Sequence, residues 1–192
     1  AEYAAASPEA APSTEYVLDD TNTTLTIKTA KGAAFWSANS NAYNDDEYTV
    51  LLADDINVSA FLWSPVGRTS DTTFAGSFDG QGHTITGLTV KIEAGDETVF
   101  AGLFGEFCGS AKNIGLINVS IVTSNTSTNN KLVYAGALAG DVFNGTISNC
   151  FVRGGSVSAA SSSGSYAGGL VGYAGQKTAI RNCYSTANVS TD

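Results

Sequence analysis

The chain's single histidine, His83, sits in Asp79-Gly80-Gln81-Gly82-His83. An aspartate and a histidine this close offer an acid–base pair. The same five residues also read as a turn. Gly80 and Gly82 let the chain reverse, Asp79 can bond nearby amides, and His83 can anchor the result. Their place between two strand-like stretches favours the turn. Two acidic runs, Asp45-Asp46-Glu47 and Asp54-Asp55, raise the question of a hard cation. Such an ion wants about six to eight convergent oxygens. Neighbours on a strand face opposite ways, so Asp54 and Asp55 cannot both line one site. Both runs, and Asp19-Asp20, read as solvated loops. Cys108, Cys150 and Cys183 show no C-x-x-C spacing, and one histidine is too few for an ordinary zinc site. Buried thiols are expected, with no metal and no cofactor.

Aromatic residues are the better lead for binding. Phe100, Tyr134 and Tyr166 recur at matching places, and Phe151 and Tyr184 each follow a cysteine. Facing inward they would be core stacks, which is the favoured reading. Facing outward, Tyr134, Tyr166, Phe151 and Tyr184 would form ladders able to stack on sugars or on another protein.

The elements that position these residues repeat. Phe100 to Val122, Tyr134 to Ser158 and Tyr166 to Ser190 align with one another. Leu103, Leu138 and Leu170 correspond, as do Gly105, Gly140 and Gly172, and Asn113, Asn149 and Asn182. Loops at Thr123 to Asn130 and Ser158 to Ser165 absorb the differences in length. Within a unit the apolar residues alternate. Ile117, Val119 and Ile121 are expected inward with Asn118 and Ser120 outward, and Leu88, Val90 and Ile92 inward with Thr89 and Lys91 outward. The chain has 21 Gly, 21 Ser, 21 Thr and 14 Asn among 192 residues, a mixture that suits strands and turns and not long helices.

Short strands in units of some thirty residues predict a solenoid with one coil per repeat. The preferred chirality of parallel crossovers makes it a right-handed parallel β-helix. Thr29 to Ala38 is the one plausible helix, with Thr29 as N-cap and Phe35 and Trp36 on its apolar face. It is expected to plug the first coil, since an open parallel edge invites pairing. Residues 1–14, with Pro8 and Pro12, read as a flexible segment, and residues 15–192 as a single β-helix domain. Its cap covers about 15–48 and its repeats about 100–192. Nothing comparable closes the last coil, so a piece of a longer protein is expected. Cys150 and Cys183 share a repeat position. Their sulfurs are expected to be neighbours but unbonded, because parallel stacked side chains strain the disulfide dihedral. No run of residues is long and apolar enough for a transmembrane helix.

The units GLFG, ALAG and GLVG, each followed by a turn and two of them by Asn-Cys, resemble the GLUG repeat of bacterial surface proteins. That repeat also occurs in large secreted immunoglobulin A peptidases, outside their catalytic domains. Thr49 to Gly67 is similar to the strand-and-tryptophan segment that introduces such repeats, and Phe74 to Val90 to the Phe-Asp-Gly-x-Gly-His-x-Ile turn that follows it. Ala137 stands where the repeat has glycine. The resemblance implies a β-helical, exported, adhesive protein and no catalytic residues.

A net charge of −9 argues against nucleic acid and against an anionic membrane surface. The leading expectation is a non-enzymatic extracellular surface domain, monomeric as isolated. It would bind a glycan or protein of a host or neighbouring cell, or space such a binder from the cell. The alternative is a carbohydrate-active β-helix, a lyase or hydrolase. β-Helical lyases set a basic residue beside bound calcium, but Arg153 and Arg181 have no carboxylate ladder next to them in the sequence. Sequons at Asn22, Asn57, Asn118, Asn125, Asn144 and Asn188 are no more than a Ser/Thr/Asn-rich chain produces by chance.

Overall fold

The computed structural model describes residues 14–19, 21–126 and 128–191. The proposed flexible segment, apart from Thr14, lies outside the described residues, as does Asp20. Strands of mostly three or four residues, broken where glycine and asparagine permit a turn, wind into a parallel β-solenoid of about four turns. Each full turn lays strands on four sheets. The first sheet stacks Thr24–Ile27, Thr49–Leu52, Ser77–Asp79, Ser110–Lys112, Thr146–Ser148 and Ala179–Arg181, with Tyr16–Leu18 antiparallel at its edge. The second carries the long strands Gly115–Asn125 and Phe151–Ser161. The third stacks Val99–Ala101, Val133–Gly136 and Ser165–Gly168. The fourth stacks Phe104–Phe107, Ala139–Val142 and Val171–Ala174. The segment about 15–48, expected as the cap of the domain, contributes a strand, Thr24–Ile27, in register with Thr49–Leu52.

Two devices hold the coils in register. At the corner between the first and second sheets, Asn113, Asn149 and Asn182 take the left-handed conformation, with φ of 56°, 54° and 53°. Asparagine tolerates that region better than other side chains with a Cβ. Their amides form a ladder. Asn182 Nδ2 donates to Asn149 Oδ1 at 3.2 Å, Asn149 Nδ2 to Asn113 Oδ1 at 3.2 Å, and Asn113 Nδ2 to Asp79 Oδ1 at 3.0 Å. At the bend between the third and fourth sheets lies the G-L-x-G unit. A Cβ on Gly140 would stand 2.6 Å from both Ala101 N and Tyr134 O, so only glycine lets the two backbones meet there. Leu103 and Leu138, 0% and 1% exposed, fill the interior of this bend, and Leu170 packs partly buried on the same core.

One inward assignment is corrected. Ile117 is half-buried and Leu116 takes the interior instead. Asn118, at φ 52°, interrupts the strand and resets its phase, so the two-residue alternation holds on either side but not across it. Gly154 at φ 70° lies at the matching place one coil on, and Gly87 at φ 75° one coil back. Val119 and Ile121 point inward as expected, as do Leu88, Val90 and Ile92.

The helix spans Ala30–Ala38, and the Thr29 side chain caps it by accepting from Gly32 N at 3.3 Å. Trp36 is fully buried. Its ring stacks on Phe78 at 5.4 Å and meets Trp63, Phe74 and Phe104 edge-on. The three cysteines are free thiols. Cys150 and Cys183 are neighbours on adjacent coils, and the Cys150 N–H donates to Cys183 Sγ at 3.4 Å. Burial pushes the Cys150 thiol up to about 12, so it stays protonated and unreactive at neutral pH.

Candidate functional site

Val133 and Ala135 point into the solenoid and are fully buried, so Tyr134 between them points out. Parallel register repeats that choice on neighbouring coils and stands Phe100, Tyr134 and Tyr166 in one column. The rings stack at 5.3 Å and 9° between the first two and 5.1 Å and 4° between the last two. Tyr173, from the fourth sheet, meets Tyr134 and Tyr166 edge-on at 5.8 and 5.3 Å. Phe100 is buried, Tyr134 half-buried and Tyr166 42% exposed, the last on a coil with no further coil stacked on it among the described residues. A second column joins Phe151 and Tyr184 at 5.4 Å and 9°. Arg153 lies with its guanidinium carbon 5.6 Å from the Phe151 ring centre, and its Nη2 donates to the Tyr184 hydroxyl at 3.4 Å. Tyr134, Tyr166, Phe151 and Tyr184 therefore form outward columns and not core stacks, while Phe100 at the column's start is buried. Smaller residues, Val133, Ala135 and Val152, occupy the interior at these places, and a strand can give only one face to the core.

The fourth sheet adds carboxyl groups that the sequence reading passed over. Glu106 and Asp141 are in register on adjacent coils, and Tyr173 follows in the same row. Each comes directly after the motif glycine, in GLFGE, ALAGD and GLVGY, which was the signal available. Asp141 is half-buried, and its Oδ1 is buried without a hydrogen-bond partner. Burial, and then the charge of Glu106, lift its carboxyl to about 6. Thr73 donates to Glu106 Oε2 at 2.8 Å. Burial, followed by Asp141, raises the Tyr134 hydroxyl above its ordinary range. Among the described residues, no Lys or Arg pairs with either carboxylate.

Asp79 and His83 do not pair with each other. Asp79 closes the turn by accepting from Gln81 N at 2.9 Å and lies 3.3 Å from Lys112 Nζ. Partial burial works upward on its carboxyl, but the bonds from Gln81, Asn113 and Lys112 outweigh it and hold the group below the usual range. His83 Nδ1 lies 3.6 Å from Asp55 Oδ1 instead. Asp55 accepts from Thr84 N at 2.7 Å, which is the main cause of its lowered pKa. Asp45, Asp46, Glu47 and Asp54 are exposed on the outside of the coils. Among the described residues, no three of His, Cys, Asp or Glu converge to hold a metal ion. Arg153 and Arg181 lie on different sheets, in register with Ile117 and Ser148, so they do not form one basic site. Asn125 is buried.

Comparison with known proteins places these features. Residues 163–190 match the GLUG motif. Over 126 residues the chain is 34% identical to halomucin of Haloquadratum walsbyi, a match spanning 60% of this chain and 1% of halomucin's length. The crystal structure of a candidate immunoglobulin A1 protease from Bacteroides ovatus superposes with a TM-score of 0.44 at 15% identity, covering 90% of this chain and 78% of that one. The chain is a parallel β-solenoid whose last coil carries a GLUG motif.

Proposed function

We propose that the chain is part of an extracellular surface protein and takes part in adhesion, binding a glycan or protein partner through its outward aromatic columns without transforming it. The GLUG motif and the likeness to halomucin support the extracellular placement. The observation that carries the binding role is the stacked pair Tyr134–Tyr166, facing outward in register with Tyr173 against it. Exposed tyrosines already ordered by stacking lose little freedom on binding. The test is a glycan microarray probed with the intact chain and with Tyr166→Ala and Tyr184→Ala. At least one glycan class should be retained by the parent and lost by a variant of unchanged melting temperature. Binding indifferent to both substitutions, or none on glycans or on extracellular-matrix proteins, overturns the reading.

A second reading, a carbohydrate-active enzyme, draws on one observation. The in-register carboxyls Glu106 and Asp141, the latter lifted to about 6, lie beside tyrosines on an outer face. Glycosidases divide acid and base work between paired carboxyls, the acid being the one whose pKa is raised. Reducing-end release from polysaccharide by the parent, abolished by Glu106→Gln and by Asp141→Asn, would replace the adhesive reading with this one.

A further inference from the structure

A concavity lies away from the aromatic columns, between the helix and the loop of residues 61–72. Its volume is about 520 Å³, within the range of small-molecule sites. Ala34 and Ala38 of the helix face Phe61, Leu62 and Pro65 of the loop across it. Ser37 Oγ donates to Ser64 O at 2.7 Å and ties the two walls together. Trp63, 3% exposed and anchored by its Nε1 to Leu103 O at 2.9 Å, makes part of the lining rigid. The walls are therefore fixed to the core, and the space between them is preformed.

The charges at this cleft are unusual for the chain. The protein carries 18 Asp and Glu, yet none lines the cleft. Arg68 is the one charged side chain that does. It is exposed at the rim, and among the described residues it makes no hydrogen bond or ion pair. A guanidinium without a partner beside an apolar cleft offers a planar fork to a carboxylate or sulfonate, while the walls take an apolar body. We propose that this cleft binds a small molecule with a flat or branched apolar body and one anionic head group, the head on Arg68 and the body between Ala38 and Leu62. The cleft's volume suits a small molecule, and Arg68 favours one with an anionic head.

The probe is 8-anilinonaphthalene-1-sulfonate, titrated into the intact chain by fluorescence, with uncharged N-phenyl-1-naphthylamine as its companion. Saturable one-site binding of the sulfonate is expected. Arg68→Gln should weaken it about tenfold, the loss of one charge-assisted contact, and leave the uncharged analogue unchanged. Ala38→Trp should fill the cleft and abolish binding of both with no change in melting temperature. The proposal is overturned if the sulfonate shows no saturable binding, if Arg68→Gln weakens both probes equally or neither, or if a folded Ala38→Trp chain binds as before. Should Ala38→Trp fail to fold, the Arg68→Gln comparison decides alone.

Discussion

The two ends of the solenoid fill the same kind of interior differently. Near the helix the core is aromatic, with Trp36, Trp63, Phe74, Phe78, Phe104 and Phe107 in mutual contact. In the repeats it is small and aliphatic, with Ala135, Ala137, Leu138, Ala139 and Val142 each no more than 1% exposed. The backbone explains the contrast. Beside the fourth sheet the earliest turn makes only isolated bridges, Val66 to Phe104 and Phe74 to Phe107, so bulky rings supply the cohesion that a ladder would. In the repeats the strands of the fourth sheet pair as continuous ladders, and smaller side chains fill the interior. One end is held by packed volume, the other by register.

The largest effect should come from violating the repeat core. Leu138→Asp puts an unpaired charge at a site 1% exposed, a penalty of several kcal/mol. No cooperative urea transition should remain. A Leu138→Asp chain that folded normally would overturn the repeat alignment. Trp36→Ala should cost about 3–5 kcal/mol by opening a cavity among the rings. Hydrogen exchange should then quicken at the helix end first, with the repeats still protected. Uniform loss of protection would erase the contrast between the ends.

Asn149→Ala probes the register-held end. It removes two ladder bonds and leaves a left-handed position without a residue suited to it, at a cost of about 1–2 kcal/mol in urea denaturation. Asn149→Gly keeps the backbone conformation and loses only the bonds, so it should be the milder change. The smallest effect belongs to Asp141. Its folded carboxyl is raised from 3.8 to about 6, so the native chain retains a proton that the unfolded chain releases between those values. Stability therefore falls as pH rises through that window, and the penalty is complete above it. Asp141→Asn should gain about 1 kcal/mol at neutral pH, discounted for its partial exposure, and flatten the profile of melting temperature between about pH 4 and 6.

The repeat was legible because each coil spends the same residue types at the same corners. The correspondence of Asn113, Asn149 and Asn182 marked a repeat position without showing that their amides form a ladder, and Thr29 with the apolar pair Phe35-Trp36 located the helix. Alternation failed at Ile117, because a single left-handed asparagine shifts the phase without changing composition. The facing of Tyr134 and Tyr166 was misjudged for a related reason. An aromatic and its alanine neighbours compete for the interior, and hydrophobicity alone picks the ring. Glu106 and Asp141 lie 35 positions apart and become neighbours only through sheet register. The cleft under Arg68 has no sequence pattern, since it arises where an irregular loop meets a helix.

The stacking direction also fixes how the molecule carries load. Backbone hydrogen bonds between coils, such as Leu138 N to Leu170 O at 2.8 Å and Ala179 N to Gly145 O at 2.9 Å, run along the solenoid axis. Force applied along that axis pulls on them end to end, and each coil touches only its neighbours. The structure would therefore lengthen by peeling one coil at a time, in steps set by about thirty residues of released chain. The Asn column adds side-chain bonds at one corner of the coils it joins, so those coils would open like a hinge, that corner last.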